Sequence, residues 1–229
     1  MSHTLAIASI EEITHNVRQL TFEKPEGFEF TPGQAAEVGI DKDGWRDAGN
    51  PFTFTALPEW DELQFTIKVY PSHDGLTEQI GKMKVGDSFI VGDPWGTIEY
   101  KGKGTFIAGG AGVTPFIAIL RMLKERGELS GHRLIFANKR EADIILRDEF
   151  DAMPGLEVVY VLSEEKKNGF EHGRIDKPML ERLIGNTDQQ FYVCGPDDMV
   201  ESINDEVVTD PETVKRYVRT TLTEVENLG

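Results

Sequence analysis

The sequence contains almost no cysteine. Cys194 is the single cysteine among 229 residues, which excludes an internal disulfide and any four-thiolate zinc site or iron–sulfur cluster built by this chain alone. Redox chemistry would therefore require a bound organic cofactor or a metal held by a partner. The scarcity of cysteine and the lack of a cationic, apolar leader pattern together predict a cytoplasmic protein.

Basic residues are few compared with acidic ones. Lys and Arg number 24, Asp and Glu number 40, and the formal net charge is -16. A field of this sign repels nucleic-acid phosphates and anionic lipid surfaces, so we expect neither nucleic acid nor a membrane as a partner. The longest apolar stretch, residues 105–120, is interrupted by glycines and a proline and is shorter than the roughly 20 residues of a membrane span.

The first hundred residues have the pattern of an all-β domain. Short runs rich in β-branched and aromatic residues alternate with turns that contain glycine and proline, a spacing typical of a barrel or a sandwich. The predicted strands are residues 5–10, 17–22, 35–40, 52–57, 63–69 and 88–91. A short helix over residues 76–83 is expected between the last two.

The pattern changes near residue 102, where strands begin to alternate with helices. Such alternation predicts a parallel, doubly wound sheet. The expected strands are residues 105–108, 133–137, 157–162 and 190–193, and the expected helices are residues 114–126, 141–150, 177–184 and 197–208. We therefore predict two domains, an N-terminal antiparallel β-barrel over residues 1–101 and a C-terminal α/β domain over residues 102–229.

A glycine-rich turn opens the second predicted domain. Its glycines include Gly110 and Gly112, and a helix is expected to begin at Thr114 or Pro115. Glycines let the backbone approach a pyrophosphate closely, and a helix N-terminus offers N–H groups and the positive end of a dipole. The turn indicates a dinucleotide site, although a tight strand-to-helix turn without a ligand has the same pattern.

A short basic segment follows the second strand of this domain. In dinucleotide-binding units a residue about 20 positions after the glycines contacts the adenine ribose, and an acidic one favours NAD. Here the segment contains Asn138, Lys139 and Arg140. Two cations favour the 2′-phosphate of NADPH, whereas a solvated loop explains them equally well.

The last clear strand of the domain ends at Cys194. Ligands bind beyond the carboxyl ends of strands in such sheets, so a small nucleophilic side chain stands at a suitable place. A free cysteine is, however, commonly a buried core residue. In the first domain, residues 52–55 alternate phenylalanine with threonine, which favours one face for aromatic stacking and one for hydrogen bonds. An ordinary amphipathic strand shows the same alternation.

The order of these segments resembles that of the ferredoxin–NADP reductase superfamily, particularly its flavodoxin/ferredoxin reductase-like and oxygenase-reductase branches. The family's flavin strand, Arg-x-Tyr-Ser/Thr, corresponds to Asn50, Pro51, Phe52 and Thr53, and its flavin phosphate turn to Gly75, Leu76 and Thr77. Its nicotinamide-nucleotide turn, Gly-x-Gly-x-x-Pro, corresponds to Gly110, Gly112 and Pro115, with Thr114 before the proline. Its Cys-Gly-Pro-x-x-Met signature corresponds to Cys194, Gly195, Pro196 and Met199, and a further family segment to Asp93, Pro94, Trp95 and Gly96.

The resemblance implies a barrel that holds FAD and a second domain that binds NADPH, with NADH as the alternative nucleotide. It implies that Phe52 lies against the flavin, that the Thr53 hydroxyl lies near flavin N5 and that Cys194 lies beside nicotinamide C4. It further implies that the backbone of three residues lines the ribityl and adenine side of the flavin: Lys68, Val69 and Tyr70. Asn50 stands where the family has an arginine that pairs with the flavin phosphates, and Arg46 is the candidate substitute.

The activity that the resemblance implies is hydride transfer from NAD(P)H to the flavin, followed by transfer of electrons to a separate acceptor. The acceptor would be a small electron-carrier protein, flavodoxin or ferredoxin, or an oxygenase component, and the chain is expected to be a monomer. Two other functions stay open. One is the reduction of free flavin or another small molecule, and the other is a non-catalytic nucleotide-binding subunit of a larger oxidoreductase.

Overall fold

The computed structural model describes residues 2–96, 98–186, 188–207 and 217–221. These residues form two compact units. The first contains residues 2–96 together with residues 114–122, and the second contains the other described residues from 98 onwards. Val208, the last residue of the helix predicted over 197–208, lies outside the described residues, as does most of the C-terminal end of the second predicted domain.

The first unit is built on six antiparallel strands. Their order in the sheet is β4-β3-β6-β1-β2-β5, and an antiparallel bridge between Phe54 and Phe65 joins the two edge strands. The sheet therefore closes into the predicted barrel, which removes both of its open edges. The strands are β1 His3–Thr14, β2 Val17–Glu23, β3 Ala35–Ile40, β4 Asn50–Thr53, β5 Glu62–Lys68 and β6 Ser88–Val91, and one helix, α1, spans Leu76–Lys82.

Aromatic rings fill the interior of the barrel. Phe65 lies 5.0 Å from Phe54 and 6.0 Å from Phe22, measured between ring centroids, and all three rings are fully buried. Aromatic pairs at such distances add to the stabilisation that burial of apolar surface provides. The interior is thus packed with side chains, and a large planar ligand can contact only the outside of this barrel.

The strand predicted over residues 52–57 is shorter than expected. Strand β4 ends at Thr53, after which the chain leaves β3 and crosses to β5, where the Thr55 amide donates to the Gln64 carbonyl at 2.8 Å. Phe54 and Thr55 are both fully buried as a result. The prediction of an aromatic face and a hydroxyl face was therefore wrong beyond Thr53, because closure of the barrel encloses both side chains.

The second unit is the predicted parallel sheet with helices. Its strand order is β10-β9-β8-β7-β11-β12, and the paired strands that the structure describes are all parallel. The strands are β7 Gly104–Gly109, β8 His132–Asn138, β9 Leu156–Leu162, β10 Glu171–His172, β11 Gln190–Gly195 and β12 Tyr217–Thr221. The helices of this unit are α3 Arg147–Asp151, α4 Lys177–Ile184 and α5 Asp197–Val207. Helix α2, Thr114–Glu125, follows β7 along the chain, and its residues 114–122 belong to the first unit.

One predicted helix of this half is broken. Residues 141–150 form a 3₁₀ turn over Glu141–Asp143 and, after Leu146 in the left-handed region with φ 51°, the short helix α3. The carboxylate of Asp143 accepts from the Arg140 amide at 2.9 Å, a capping-box bond that marks the start of the 3₁₀ turn. The adjacent Ile144 and Ile145, which lie between the two short segments, are both buried.

Candidate cofactor-binding sites

The predicted flavin strand lies at one side of the barrel with its side chains partly accessible. Asn50, Phe52 and Thr53 are each half-buried, whereas Pro51 between them is buried. Phe52 pairs with Ala36 of β3 and packs its inner part against the barrel core. Phe52 and Thr53 therefore each keep part of their surface available to a ligand outside the barrel.

The predicted ribityl and adenine side lies on the segment that follows β5. The Val69 amide donates to the Asn16 carbonyl at 2.8 Å, and the Val69 side chain is buried against Gly81 of α1. Lys68 and Tyr70 on either side are half-buried, and the Lys68 Nζ lies 5.6 Å from the centre of the Tyr70 ring. The backbone is thus held in place while the two flanking side chains remain accessible.

In the predicted phosphate turn, one feature favours the binding of an anion and another disfavours it. Gly75 is the N-cap of α1 and provides no side-chain cap, which leaves first-turn amides such as those of Leu76 and Thr77 for an anion. Glu78 lies in the same turn, and hydrogen bonds from the Lys82 ammonium and the Asp74 amide lower the pKa of its carboxyl. A permanent negative charge there weakens the attraction of the turn for phosphate.

Where the family has an arginine, this chain has the uncharged Asn50, and the acidic Glu37 lies nearby. The guanidinium of Arg46, the candidate substitute, is bound by Asp43 and by Asp41, the latter at 2.6 Å, and these hydrogen bonds raise its pKa. A Cβ atom on Gly49 would lie 2.5 Å from a carboxylate oxygen of Glu37. The strand therefore fits the ring of a flavin better than it fits the flavin's phosphates.

The two signatures of the second unit meet at one place in the sheet. Strand order reverses between the adjacent strands β7 and β11, and ligands of doubly wound sheets bind at such a point, outside the carboxyl ends of the strands. A Cβ atom on Gly112 would lie 2.3 Å from the Cys194 carbonyl oxygen, and one on Gly195 would lie 2.4 Å from the Met199 methyl group. These glycines thus allow the nucleotide turn to pack directly on the end of β11.

The helix that follows the glycine-rich turn is suited to an anion. The turn forms a 3₁₀ segment over Gly110–Val113, and α2 begins at Thr114 and Pro115 with no acidic residue in its first turn. Helix α5, which follows Pro196 of the second signature, begins instead with Asp197 and Asp198. Because carboxylates neutralise the positive end of a helix dipole, we expect a pyrophosphate at α2 and not at α5.

Cys194 is a buried residue of strand β11. Its side chain is 1% exposed, and burial raises the pKa of the thiol to about 12. The thiolate is therefore scarce at neutral pH, and a nucleophilic role does not suit this side chain. A neutral thiol of small size remains compatible with a place beside a nicotinamide ring.

The basic segment after β8 contains one buried side-chain amide and two exposed cations. Asn138 is 8% exposed, and its Nδ2 group has no hydrogen-bond acceptor among the described residues. Lys139 and Arg140 are exposed and share the carboxylate of Glu164, at 3.3 and 3.7 Å. A buried amide of this kind is expected to bind a ligand or a water, whereas Glu164 reduces the charge that the two cations present to a phosphate.

Sequence reasoning missed a buried arginine in the first unit. Arg121 is 9% exposed, and its Nη1 group donates to the Thr55 carbonyl oxygen and to Gln64 Oε1, both at 2.7 Å. Its guanidinium also lies 5.3 Å from the centre of the Trp60 ring. The sequence could have indicated this network, because Arg121 lies inside the otherwise apolar segment 116–123. A buried cation in such a segment requires hydrogen-bond partners.

Comparison with known proteins agrees with this arrangement. Residues 106–205 match the family described as oxidoreductase NAD-binding domain. The chain is 28% identical over 221 residues to NADH-cytochrome b5 reductase 2 of Mycosarcoma maydis, covering 86% of this chain and 63% of the relative. It is 27% identical over 207 residues to the ferredoxin–NAD(P)(+) reductase component of the naphthalene 1,2-dioxygenase/salicylate 5-hydroxylase systems of a Ralstonia species, covering 86% and 62%.

A solved structure shows the same fold over nearly the whole chain. The ferredoxin NADP+ reductase of Neisseria gonorrhoeae, determined with bound FAD and NADP, superposes with a TM-score of 0.83 at 16% identity, covering 96% of this chain and 98% of that one. The chain has the ferredoxin reductase-like fold, which agrees with the resemblance to the ferredoxin–NADP reductase superfamily that the motifs indicated. It spans 63% and 62% of the lengths of the two relatives above.

No helix in the described part of the chain is both long and apolar enough to cross a membrane.

Proposed function

We propose that the chain is an FAD-dependent oxidoreductase that uses NADPH, with NADH as the alternative, and delivers electrons to a separate acceptor. The observation that carries the proposal is the packing of Gly112 on Cys194 and of Gly195 on Met199. It assembles both nucleotide signatures at the carboxyl ends of β7 and β11, where such sheets bind dinucleotides. When bound, the two cofactors supply hydride transfer from nicotinamide to flavin.

In this proposal the residues of the chain bind, orient and exclude water. The N-terminus of α2, with no acid in its first turn, binds the pyrophosphate of the nucleotide. The Nδ2 group of Asn138 donates to the nucleotide's polar groups, and Lys139 and Arg140 attract a 2′-phosphate. The neutral thiol of Cys194 provides a small apolar contact beside the nicotinamide, and no proton transfer by this residue is needed.

The barrel residues orient the flavin. The Thr53 hydroxyl donates a hydrogen bond near N5, the exposed edge of Phe52 contacts the ring, and the backbone of residues 68–70 lines the ribityl chain. Gly75, Leu76 and Thr77 hold a phosphate group through backbone amides. The protein thereby contributes position and electrostatics, which is what enzymes add to cofactor chemistry.

The acceptor we propose is a small electron-carrier protein such as flavodoxin or ferredoxin, or an oxygenase component, and the chain acts as a monomer in the cytoplasm. Support comes from the Ralstonia relative, a reductase component of dioxygenase systems. Since the chain has a formal net charge of -16, an acidic carrier would have to dock on a locally basic surface.

A second function is favoured by the phosphate side of the flavin site. Glu37 lies against Gly49, Arg46 is bound by two aspartates, and Glu78 adds a charge to α1. Each feature weakens the hold on a diphosphate. A reductase that binds flavin only transiently and releases it reduced, needing no protein acceptor, has these properties.

The visible absorption spectrum of the purified protein, followed by anaerobic addition of NADPH or NADH, tests these proposals. We expect a flavin spectrum, or its appearance when FAD is added, and bleaching that is faster with NADPH. A colourless protein that bleaches added flavin catalytically would favour the free-flavin reductase. A protein that binds no FAD and oxidises neither nucleotide would contradict both and favour a non-catalytic nucleotide-binding subunit.

A further inference from the structure

One row of residues crosses the barrel beside the flavin strand. Thr53 of β4 pairs with Ala35 of β3, and Trp95 pairs with Ala35 through a separate antiparallel bridge on its other side. Directly opposite residues of antiparallel strands project from the same face. Thr53, Ala35 and Trp95 therefore share one face, and their backbones span two strand spacings, about 10 Å in all.

This Thr53–Ala35–Trp95 row lies on the outside of the barrel. The neighbouring residues Ala36 and Val38 of β3 are fully buried and face the interior, whereas Ala35 and Thr53 are half-buried. Trp95 is 48% exposed. Because Ala35 has only a methyl group, the row forms a shallow shelf with a hydroxyl at one end and an indole at the other.

The backbone of Trp95 is held firmly although its side chain is exposed. The Ala35 amide donates to the Trp95 carbonyl oxygen at 2.6 Å, and the Trp95 amide donates to the Ala35 carbonyl oxygen at 2.7 Å. A Cβ atom on Gly96, where φ is 148°, would lie 3.2 Å from the Ala35 nitrogen, so the following residue also packs tightly on β3. The backbone that carries the indole is thus held at a fixed place.

Exposure of this indole calls for a physical reason. Among the described residues, Trp95 and Val85 are the large apolar side chains that are exposed. Single exposed apolar side chains are common on protein surfaces, whereas this indole stands at the end of a shelf beside the predicted flavin strand. A tryptophan at the end of a flat shelf is suited to a planar aromatic ligand, which it contacts by offset stacking or edge to face.

We propose that Trp95 contacts the ring system of the flavin and closes the side of its site opposite Thr53. The proposal rests on the proposed function, in which the Thr53 hydroxyl lies near flavin N5. The width of the shelf, about 10 Å, accommodates a fused tricyclic ring along the row, and the small Ala35 permits close approach. Trp95 then contributes affinity for the flavin ring at a site that binds the flavin phosphates weakly.

The test is a titration of the flavin-free protein with FAD, followed by tryptophan fluorescence and by the visible spectrum of the bound flavin. Trp95→Ala is expected to weaken FAD binding by about 3- to 10-fold and to remove most of the quenching that FAD causes. Trp95→Phe is expected to retain most of the affinity while losing the same quenching. Val85→Ala, which removes the other exposed apolar side chain, serves as the matched control and is expected to change neither.

The outcomes separate this proposal from the proposed function. FAD binding by the wild type, with unchanged affinity and quenching in Trp95→Ala, would overturn the role of Trp95 alone. Unchanged FAD affinity together with an increased KM for a protein acceptor would also overturn it and assign Trp95 to docking. Failure of the wild type to bind FAD at all would remove the proposed function and this inference together. Unfolding midpoints close to the wild type would show that the variants are folded.

Discussion

A Cβ atom on Gly112 would lie 2.3 Å from the carbonyl oxygen of Cys194. Any side chain at position 112 must therefore push the glycine-rich turn away from the end of β11. We expect Gly112→Ala to lower the free energy of unfolding by about 1–3 kcal/mol, the usual cost of overpacking, and to weaken NADPH binding more than tenfold. Urea unfolding and a nucleotide titration measure the two effects.

Gly110→Asn is the matched control for this change. Gly110 has φ 50°, and a Cβ atom placed on it would meet no described residue beyond its chain neighbours within 4 Å. Asparagine tolerates such backbone angles. We expect the stability of this variant to stay near that of the wild type. Equal loss in both variants would show that the packing on Cys194 is not the reason.

Arg121 joins helix α2 to the segment that follows the flavin strand. Arg121→Met removes the donor that serves the Thr55 carbonyl oxygen and Gln64 Oε1, which leaves buried acceptors without this partner. We expect a loss of about 1–3 kcal/mol in the free energy of unfolding. Arg126→Met makes the same change at an exposed position just beyond α2 and is expected to have little effect. Similar losses in the two variants would contradict the network.

The phosphate side of the flavin site can be strengthened. Asn50→Arg restores the charge that the family carries there and is expected to raise FAD affinity by about tenfold, the factor that about 1.4 kcal/mol supplies. Glu37→Gln is expected to act in the same direction, because its carboxylate lies against Gly49. Asn50→Gln is the control without charge. Equilibrium binding of FAD measures each variant, and no gain in Asn50→Arg would argue against phosphates at this strand.

Local signals explain which parts of the fold were predictable. Helix α4 has the predicted bounds because its own sequence encodes both ends: the Asp176 side chain accepts from the Met179 amide at 2.9 Å, a proline lies in the first turn, and Gly185 follows the last residue. The parallel sheet was equally clear, since strands and helices alternate with distinct periods. Both signatures at the carboxyl ends of β7 and β11 were indicated by the family resemblance, because the residues of each segment taken alone left other interpretations open.

The remaining features depend on contacts between distant parts of the sequence. Phe54 leaves its strand because the barrel closes through Phe65, which no local pattern specifies. The place of Trp95 next to Ala35 arises from pairing across 60 positions of the chain, and the neutral state of Cys194 arises from burial. Sequence alone likewise could not show that Arg46 is bound by Asp41 and Asp43.

The proposed preference for NADPH rests on Lys139 and Arg140, the two cations that share Glu164. Replacing Lys139 and Arg140 together with glutamine is expected to raise the KM for NADPH by about tenfold and to leave that for NADH nearly unchanged. Glu164→Gln is expected to lower the KM for NADPH, because it frees both cations from their ion pairs. Lys166→Gln, which removes one exposed positive charge nearby, is the control. Parallel changes for both nucleotides would contradict recognition of the 2′-phosphate.

Stability should fall in mild acid because of His132. Burial is the largest influence on this imidazole and lowers its pKa, and the nearby charge of Lys103 lowers it further. The hydrogen bond to the Leu129 carbonyl and the presence of Glu128 raise the pKa, but by less. Its Nδ1 lies 3.1 Å from the Leu129 carbonyl oxygen and its Nε2 lies 2.9 Å from the Tyr100 hydroxyl, so the neutral ring donates from Nδ1 and accepts from Tyr100. As the pH falls, the unfolded chain therefore takes up the proton before the folded chain does. The stabilisation by the neutral ring is fully present above about pH 6.5. Below that pH the free energy of unfolding decreases by at most about 1.4 kcal/mol per pH unit. Urea unfolding between pH 8 and pH 5.5 should show a steeper loss in the wild type than in His132→Phe, whereas equal slopes would assign the acid sensitivity to other groups.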